Sequence, residues 1–241
     1  MGQGGVRHVN DFVEAIKFIF EERDSPAGGA RVGGLEEIWE LTWPHLKLSA
    51  VSLAIACAIA IPIGLWLGHK RRGGFFAINA SNVGRAVPSL ALIAFFVAYI
   101  GVGFTNLMLA LVLLAIPPIL TNTYTAVRQV ERDTVDAARG MGMNGFQIVR
   151  RVELPLALPL IFGGIRISAV NVVATATIAP LAGVITLGDP IINVNTYGDE
   201  GRLAAAIVVA LLAIATEVGL GAAQRAVTPR GLKVNRREAL T

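Results

Sequence analysis

From Ala86 to Val127 the chain runs for 42 residues without one charged side chain. A bilayer crossing needs about 20 consecutive apolar residues, so this stretch holds two crossings with a turn at Gly101-Val-Gly-Phe-Thr-Asn106. Leu48–Gly68 and Ile167–Gly188 are also uncharged, and Leu203–Gln224 is interrupted by Glu217 alone. Lipid cannot hydrogen-bond a bare backbone, so spanning segments of this length must be helices. Charged residues make up 16% of the chain, against about 25% in a soluble domain. The expected class is therefore an all-α, polytopic membrane protein.

Charge then sets the expected topology, because loops on the cytosolic side are enriched in Lys and Arg. Lys70, Arg71 and Arg72 follow the first run. Arg128, Arg132, Arg139, Arg150 and Arg151 follow two spans later, and Arg225, Arg230, Lys233, Arg236 and Arg237 two spans after that. Residues 1–45 carry four basic against eight acidic side chains, and 188–202 one against three. Every loop fits five spans with the amino terminus out and the carboxyl terminus in. The net charge of +4 thus serves topology, and no nucleic-acid partner is expected.

Three regions follow from this pattern. Residues 1–45 read as an extracytoplasmic amphipathic segment, with Val9, Phe12, Val13, Ile16, Ile19 and Phe20 on one helical face and a flexible, Gly-rich linker over 25–34. Leu35, Ile38, Trp39 and Thr42 line a second amphipathic stretch. Residues 46–224 form the five-span domain, with spans near 46–68, 86–101, 105–127, 155–180 and 203–224, and an interfacial helix over 75–85. Pro117-Pro118 should kink or break the third span. A polar loop is expected over 188–202, a cytosolic loop over 128–154, and a basic cytosolic tail over 225–241.

Little points to catalysis. His8, His45 and His69 have no metal-ligand spacing, Cys57 sits alone in an apolar run, and no Gly-x4-Gly-Lys-Ser/Thr phosphate loop occurs. The chain is expected to be no enzyme and to hold no cofactor or metal. Three ionisable residues lie in or near spans, Arg85, Arg166 and Glu217, where such groups are costly. Arg166 is 11 residues past Pro155 and Glu217 seven before Gln224. At about 1.5 Å per residue their depths differ by roughly 6 Å, within reach of an arginine. Pro88, Ser89, Asn171, Arg166 and Glu217 are the candidate pathway or gate residues, with interhelical packing the commoner role for each polar residue.

The longest charged interruption is Asp136-Ala-Ala-Arg-Gly-Met-Gly-Met-Asn-Gly-Phe-Gln-Ile-Val-Arg-Arg-Val-Glu-Leu-Pro155. Thr134 can cap a short helix over 134–145 with Asp136 in its first turn. Ala137 and Ala138 keep one side slim, Gly140, Gly142 and Gly145 permit a sharp turn, and Phe146, Ile148, Val149 and Val152 begin a second helix. A short helix with a bald face suits docking into a partner's groove.

Asp136-Ala137-Ala138, Gly142 and Val152-x-Leu154-Pro155 resemble the Glu-Ala-Ala…Gly…Ile-x-Leu-Pro coupling motif of binding-protein-dependent ABC importer permeases, with Asp in place of Glu. Five spans resemble the methionine-permease-like core of that family. His45-Leu-Lys-Leu-Ser49, Ile61-Pro-Ile-Gly64, Val87-Pro-Ser-Leu-Ala-Leu92, Gly163-Gly-Ile-Arg166 and Ala182-Gly-Val-Ile-Thr-Leu-Gly188 look like its osmoprotectant branch, although a glycine is commoner where Thr186 stands. The resemblance implies a multi-pass permease subunit in a bacterial-type cytoplasmic membrane. It implies import of glycine betaine or a related quaternary amine, with an amino acid or another small solute as the alternative. The implied partners are a pair of cytosolic ATPase subunits that hold ATP and Mg, a second permease subunit (the same chain or a paralogue), an extracytoplasmic binding protein and the lipid bilayer. Alternating access is the implied mechanism, with ATP closure moving residues 134–145.

Overall fold

Among the described residues helices cover most of the apolar sequence, and several run on through segments that composition separates. The computed structural model describes residues 3–71, 74, 75, 79 and 86–228. In chain order come α1 (Gln3–Phe20), β1 (Glu22–Asp24), β2 (Arg31–Gly33), α2 (Gly34–His69), α3 (Ser89–Ile100) and α4 (Phe104–Arg128). Then follow α5 (Arg132–Gly140), α6 (Gly145–Ile148), a π-helical turn (Val149–Glu153), α7 (Leu154–Thr175), a 3₁₀ turn (Ala176–Ala182), α8 (Asp189–Ile192) and α9 (Val194–Val227). Among the described residues four stretches are long and apolar enough to cross a membrane: Gly34–His69, Phe104–Arg128, Gly145–Ala182 and Val194–Val227. Helix α3 is shorter, and the helix expected over 75–85 lies largely outside the described residues, as do Arg85 and most of the basic tail.

The chain divides into two compact units. One comprises Met1–Ser52, Ser89–Leu111 and Asn171–Ala215. Its core joins Ala15 and Phe18 of α1 to Val32, Ile38, Tyr197 and Ala204, with Leu41, Leu187 and Val209 forming a second cluster. The apolar stripe of α1 does not form this core. Phe12, Val13, Ile16 and Phe20 are exposed, and the Ala15–Phe18 side anchors the helix instead. The 25–34 stretch is not a free linker: β1 and β2 pair antiparallel, with Arg23 opposite Val32. Ser25 donates its hydroxyl to the Thr196 carbonyl at 2.7 Å, which ties the hairpin to the start of α9.

The expected boundary at residue 45 disappears, because α2 is a single 36-residue helix, about 54 Å long at 1.5 Å per residue. Trp39 and Trp43 are exposed on it, their ring centroids 6.4 Å apart. The expected polar loop over 188–202 is mostly helical as well. It holds α8 and the first residues of α9, which breaks at Gly198 (φ 71°, ψ 176°), a conformation open to glycine and strained for other residues.

The second unit comprises Leu53–Pro88, Val112–Val170 and Thr216–Thr241. Helices α2 and α4 touch there through small residues. A Cβ at Gly64 would lie 2.7 Å from Thr123 Cβ, so only glycine allows that approach. Pro117 and Pro118 do not interrupt α4, which is continuous from Phe104 to Arg128. Carbonyls beside the prolines take side-chain donors, Ser168 Oγ to Ala115 at 2.9 Å and Asn122 Nδ2 to Pro118 at 2.8 Å. The carbonyls that the prolines leave without a helical donor are those of Leu113 and Leu114, four residues earlier, and these two bonds do not serve them. Ala126, Val127, Ala157 and Ile161 form the cluster between the ends of α4 and α7.

Candidate functional site: the α5–α7 connection

Helix α5 begins two residues earlier than Thr134, with Glu131 at the cap position and no side-chain cap bond. Asp133, not Asp136, therefore occupies the first turn, where the positive end of the helix dipole favours an acid. Val135 and Ala138, three residues apart, face inward and pack with Val130, Ile148, Met143 and Val152. Asp136 and Ala137 face solvent. Asp136 and Arg139 form an exposed pair at 3.2 Å, of a kind that adds little stability. Of the two alanines expected to give the helix a bald face, Ala137 is exposed and Ala138 is buried. Ala138 is core, since the 3.6-residue period that exposes Ala137 turns its neighbour in.

The end of α5 is closed by a Schellman motif. Met143 N–H donates to the Ala138 carbonyl (3.2 Å) and Gly142 N–H to that of Arg139 (2.9 Å). The motif needs a left-handed residue at Gly142, whose φ is +84°. The chain then turns into α6 through a reciprocal capping box. Asn144 Oδ1 accepts from Gln147 N–H and Gln147 Oε1 from Asn144 N–H, both at 2.9 Å. Either side of this turn, Met141 and Phe146 are 72% and 73% exposed. Composition alone did not single out these two as surface residues; two large apolar side chains flanking a glycine turn were the available signal.

Val152, Leu154 and Pro155 are half-buried. Val152 packs on the α5 core and Leu154 on the Ala126–Ile161 cluster, so they bind the connection to α7 while Asp136, Ala137, Gly140, Met141 and Phe146 form its outer face. Glu153, between them, is buried, and its Oε2 lies 2.8 Å from Nδ1 of His69 at the end of α2.

Of the candidate gate residues, Arg166 and Glu217 meet as their depths require: Arg166 Nη2 donates to Glu217 Oε1. Arg166 Nη1 also donates to Gln224 Oε1 at 2.7 Å, and Gln224 Nε2 to the Pro159 carbonyl at 2.6 Å. This network cross-links α7 and α9. It borders a cavity of about 1080 Å³ that also takes in Gln129, Glu131, Thr134 and Arg225. Pro88, Ser89 and Asn171 do not join that network. Pro88 precedes α3, Ser89 opens it, and Asn171 is exposed on α7. Thr186, where the family resemblance expects glycine, is buried and donates to the Ala176 carbonyl at 3.1 Å while accepting from Gly188 N–H at 3.2 Å.

The glycine betaine/carnitine/choline transport system permease protein OpuCB of Bacillus subtilis (strain 168) is 36% identical over 198 residues, 82% of this chain and 91% of that protein. The carnitine transport permease protein OpuCB of Listeria monocytogenes is 38% identical over 193 residues, 80% of this chain and 88% of the relative. In fold, a chain of the methionine ABC transporter MetNI, crystallised in inward-facing conformations, superposes with a TM-score of 0.68 at 22% identity, covering 81% of this chain and 98% of that one. Residues 60–231 match the binding-protein-dependent transport system inner membrane components, and the chain belongs to that family.

Proposed function

We propose that this chain is the membrane-spanning permease subunit of an ATP-driven importer for an osmoprotectant of the glycine betaine, carnitine and choline class. The observation that carries the substrate class is sequence identity of 36–38% over about four-fifths of the chain to permeases named for those solutes. ATP and Mg belong to a separate ATPase pair, and the outer face of α5 and the α5–α6 turn is where that pair docks. Asp136, Ala137, Gly142 and the adjoining Met141 and Phe146 present the docking surface. Ala138, Val152, Leu154 and Pro155 hold that surface to α7. A second permease subunit and an extracytoplasmic binding protein complete the assembly.

The chain crosses the membrane five times, amino terminus out and carboxyl terminus in. The four long apolar stretches supply four crossings, and the 86–101 span that holds α3 supplies the fifth. The asymmetry of basic residues between alternate loops supports this orientation. The cavity beside Arg166 lies on the side of the membrane that carries α5, and the Arg166–Glu217–Gln224 network is the feature best placed to gate it, with Pro88, Ser89 and Asn171 as further polar or backbone-breaking positions along the path.

The test is uptake of labelled glycine betaine by a transport-deficient strain that carries this chain with its co-encoded partners at high salt. Saturable uptake, displaced by choline or carnitine and not by amino acids, is the expected result. Absence of uptake for every osmolyte tried, with the complex assembled, would transfer the assignment to another small solute.

A further inference from the structure

Among the described residues Glu153 is the one Asp or Glu that is fully buried, at 3% exposure. It occupies the unspecified position of Val152-x-Leu154-Pro155 and closes the π-helical turn between α6 and α7. A carboxylate withdrawn from water is costly unless a partner meets it, and here the partner is a histidine ring from another helix. His69 is the last residue of α2, and its Nδ1 lies 2.8 Å from Glu153 Oε2.

The opposite edge of the same ring meets the start of the segment. A Cβ built on Gly145 would lie 3.1 Å from His69 Nε2, so the ring fits because residue 145 carries no side chain. His69 therefore lies between the first residue of α6 and the last residue of the π turn. A π turn carries one residue more than regular helix and recurs at functional sites. Left unbraced, it is the part of the connection most able to absorb a displacement of α5 before that displacement reaches α7.

Resting on the permease reading above, we infer that His69 and Glu153 are positioning residues that form a joint between the ATPase-coupling segment and the end of α2. The joint braces the π turn and passes movement of α5 and α6 to the first long apolar helix as well as to α7. A coupling element of this kind biases two arrangements of the helices and performs no chemical step. Side chains that merely filled the space would pack equally well. A joint needs a donor on residue 69 and an acceptor on residue 153.

The test uses the assembled transporter in proteoliposomes, with solute uptake and ATP hydrolysis measured on the same preparation. For His69→Ala the solute moved per ATP is expected to fall about tenfold, within the range by which residues along a coupling route alter it, while hydrolysis stays near that of the unaltered complex. His69→Gln, whose amide can donate to the carboxylate, is expected to recover most of the ratio. If His69→Ala keeps the full ratio, or loses uptake and hydrolysis in proportion, the joint is wrong. Should His69→Ala fail to assemble, Glu153→Leu, similar in size and without an acceptor, decides. A ratio lowered several-fold is expected, and an unchanged one overturns the inference. Lack of ATP-driven uptake by the unaltered chain would instead overturn the permease reading, and the joint with it.

Discussion

Gly142 separates backbone from charge effects in the coupling segment. A side chain there meets nothing within 4 Å, so substitution acts through the positive φ and through what it adds to the docking face. Forcing an ordinary residue into the left-handed region costs about 1–2 kcal/mol, whereas Asn and Asp enter it more easily. Gly142→Asn is accordingly expected to retain most uptake. Gly142→Asp is expected to leave the protein inserted and ATP hydrolysis running while uptake in membrane vesicles falls sharply. Unchanged uptake in the Asp variant would remove Gly142 from the coupling role. Thr186 offers a second contrast. Thr186→Val keeps the shape but strips the Gly188 N–H of its acceptor, at a cost of about 1–3 kcal/mol for a buried unsatisfied group. The apparent Tm of the purified protein should drop, with substrate preference unaltered. Gly188 tolerates nothing larger, since a Cβ there would fall 1.8 Å from the Thr177 carbonyl oxygen.

At the level of elements, the contact of α2 with α4 depends on bare backbone at Gly64, where Thr123 Cβ lies 2.7 Å from the place a Cβ would take. Helices in lipid associate through such close approach, because apolar burial alone does not drive them together. Gly64→Leu is expected to cost about 1–3 kcal/mol, the usual range for overpacking, visible as a lower midpoint in detergent unfolding. Helix α5 makes the opposite case. Its inner side, Val135 and Ala138, belongs to a small core, while Phe146 just beyond it is largely exposed. Phe146→Ala should leave stability within error of the parent and weaken ATPase association about tenfold, as truncation of an apolar anchor does. Equal binding of the ATPase by both proteins would place the docking surface elsewhere. The continuity of α4 through Pro117 and Pro118 was not legible from the sequence. Proline's missing donor reads as a break, yet the helix runs through both prolines.

For the whole molecule, topology is the decisive measurement. A periplasm-active phosphatase fused after Asn193 should be active, and a fluorescent protein fused at the carboxyl terminus should be bright. The reverse pattern would invert the orientation and take α5 out of reach of a cytosolic ATPase. The division of the 136–155 segment into an exposed outer face, proposed to dock the ATPase, and a buried inner face also sets how an assembled transporter should fail. Substitutions at Asp136, Ala137 and Phe146 should impair association, and those at Ala138 and Leu154 should impair folding.

Membrane class and the long apolar helices were legible in the sequence, because hydropathy acts locally and lipid admits few backbone solutions. The similar depths of Arg166 and Glu217 followed from helical rise, and their meeting required that the two helices be adjacent. The tertiary structure decided everything that depends on which side of a helix meets a neighbour. It turned Ala138 inward and left the α1 stripe of Phe12, Val13, Ile16 and Phe20 outside. It made a hairpin of the Gly-rich stretch and joined residues 34–69 into one helix. It also brought His69 to Glu153 across 84 positions of sequence. Helical period states which residues share a face, whereas the partner that buries the face is set by packing between segments distant in sequence.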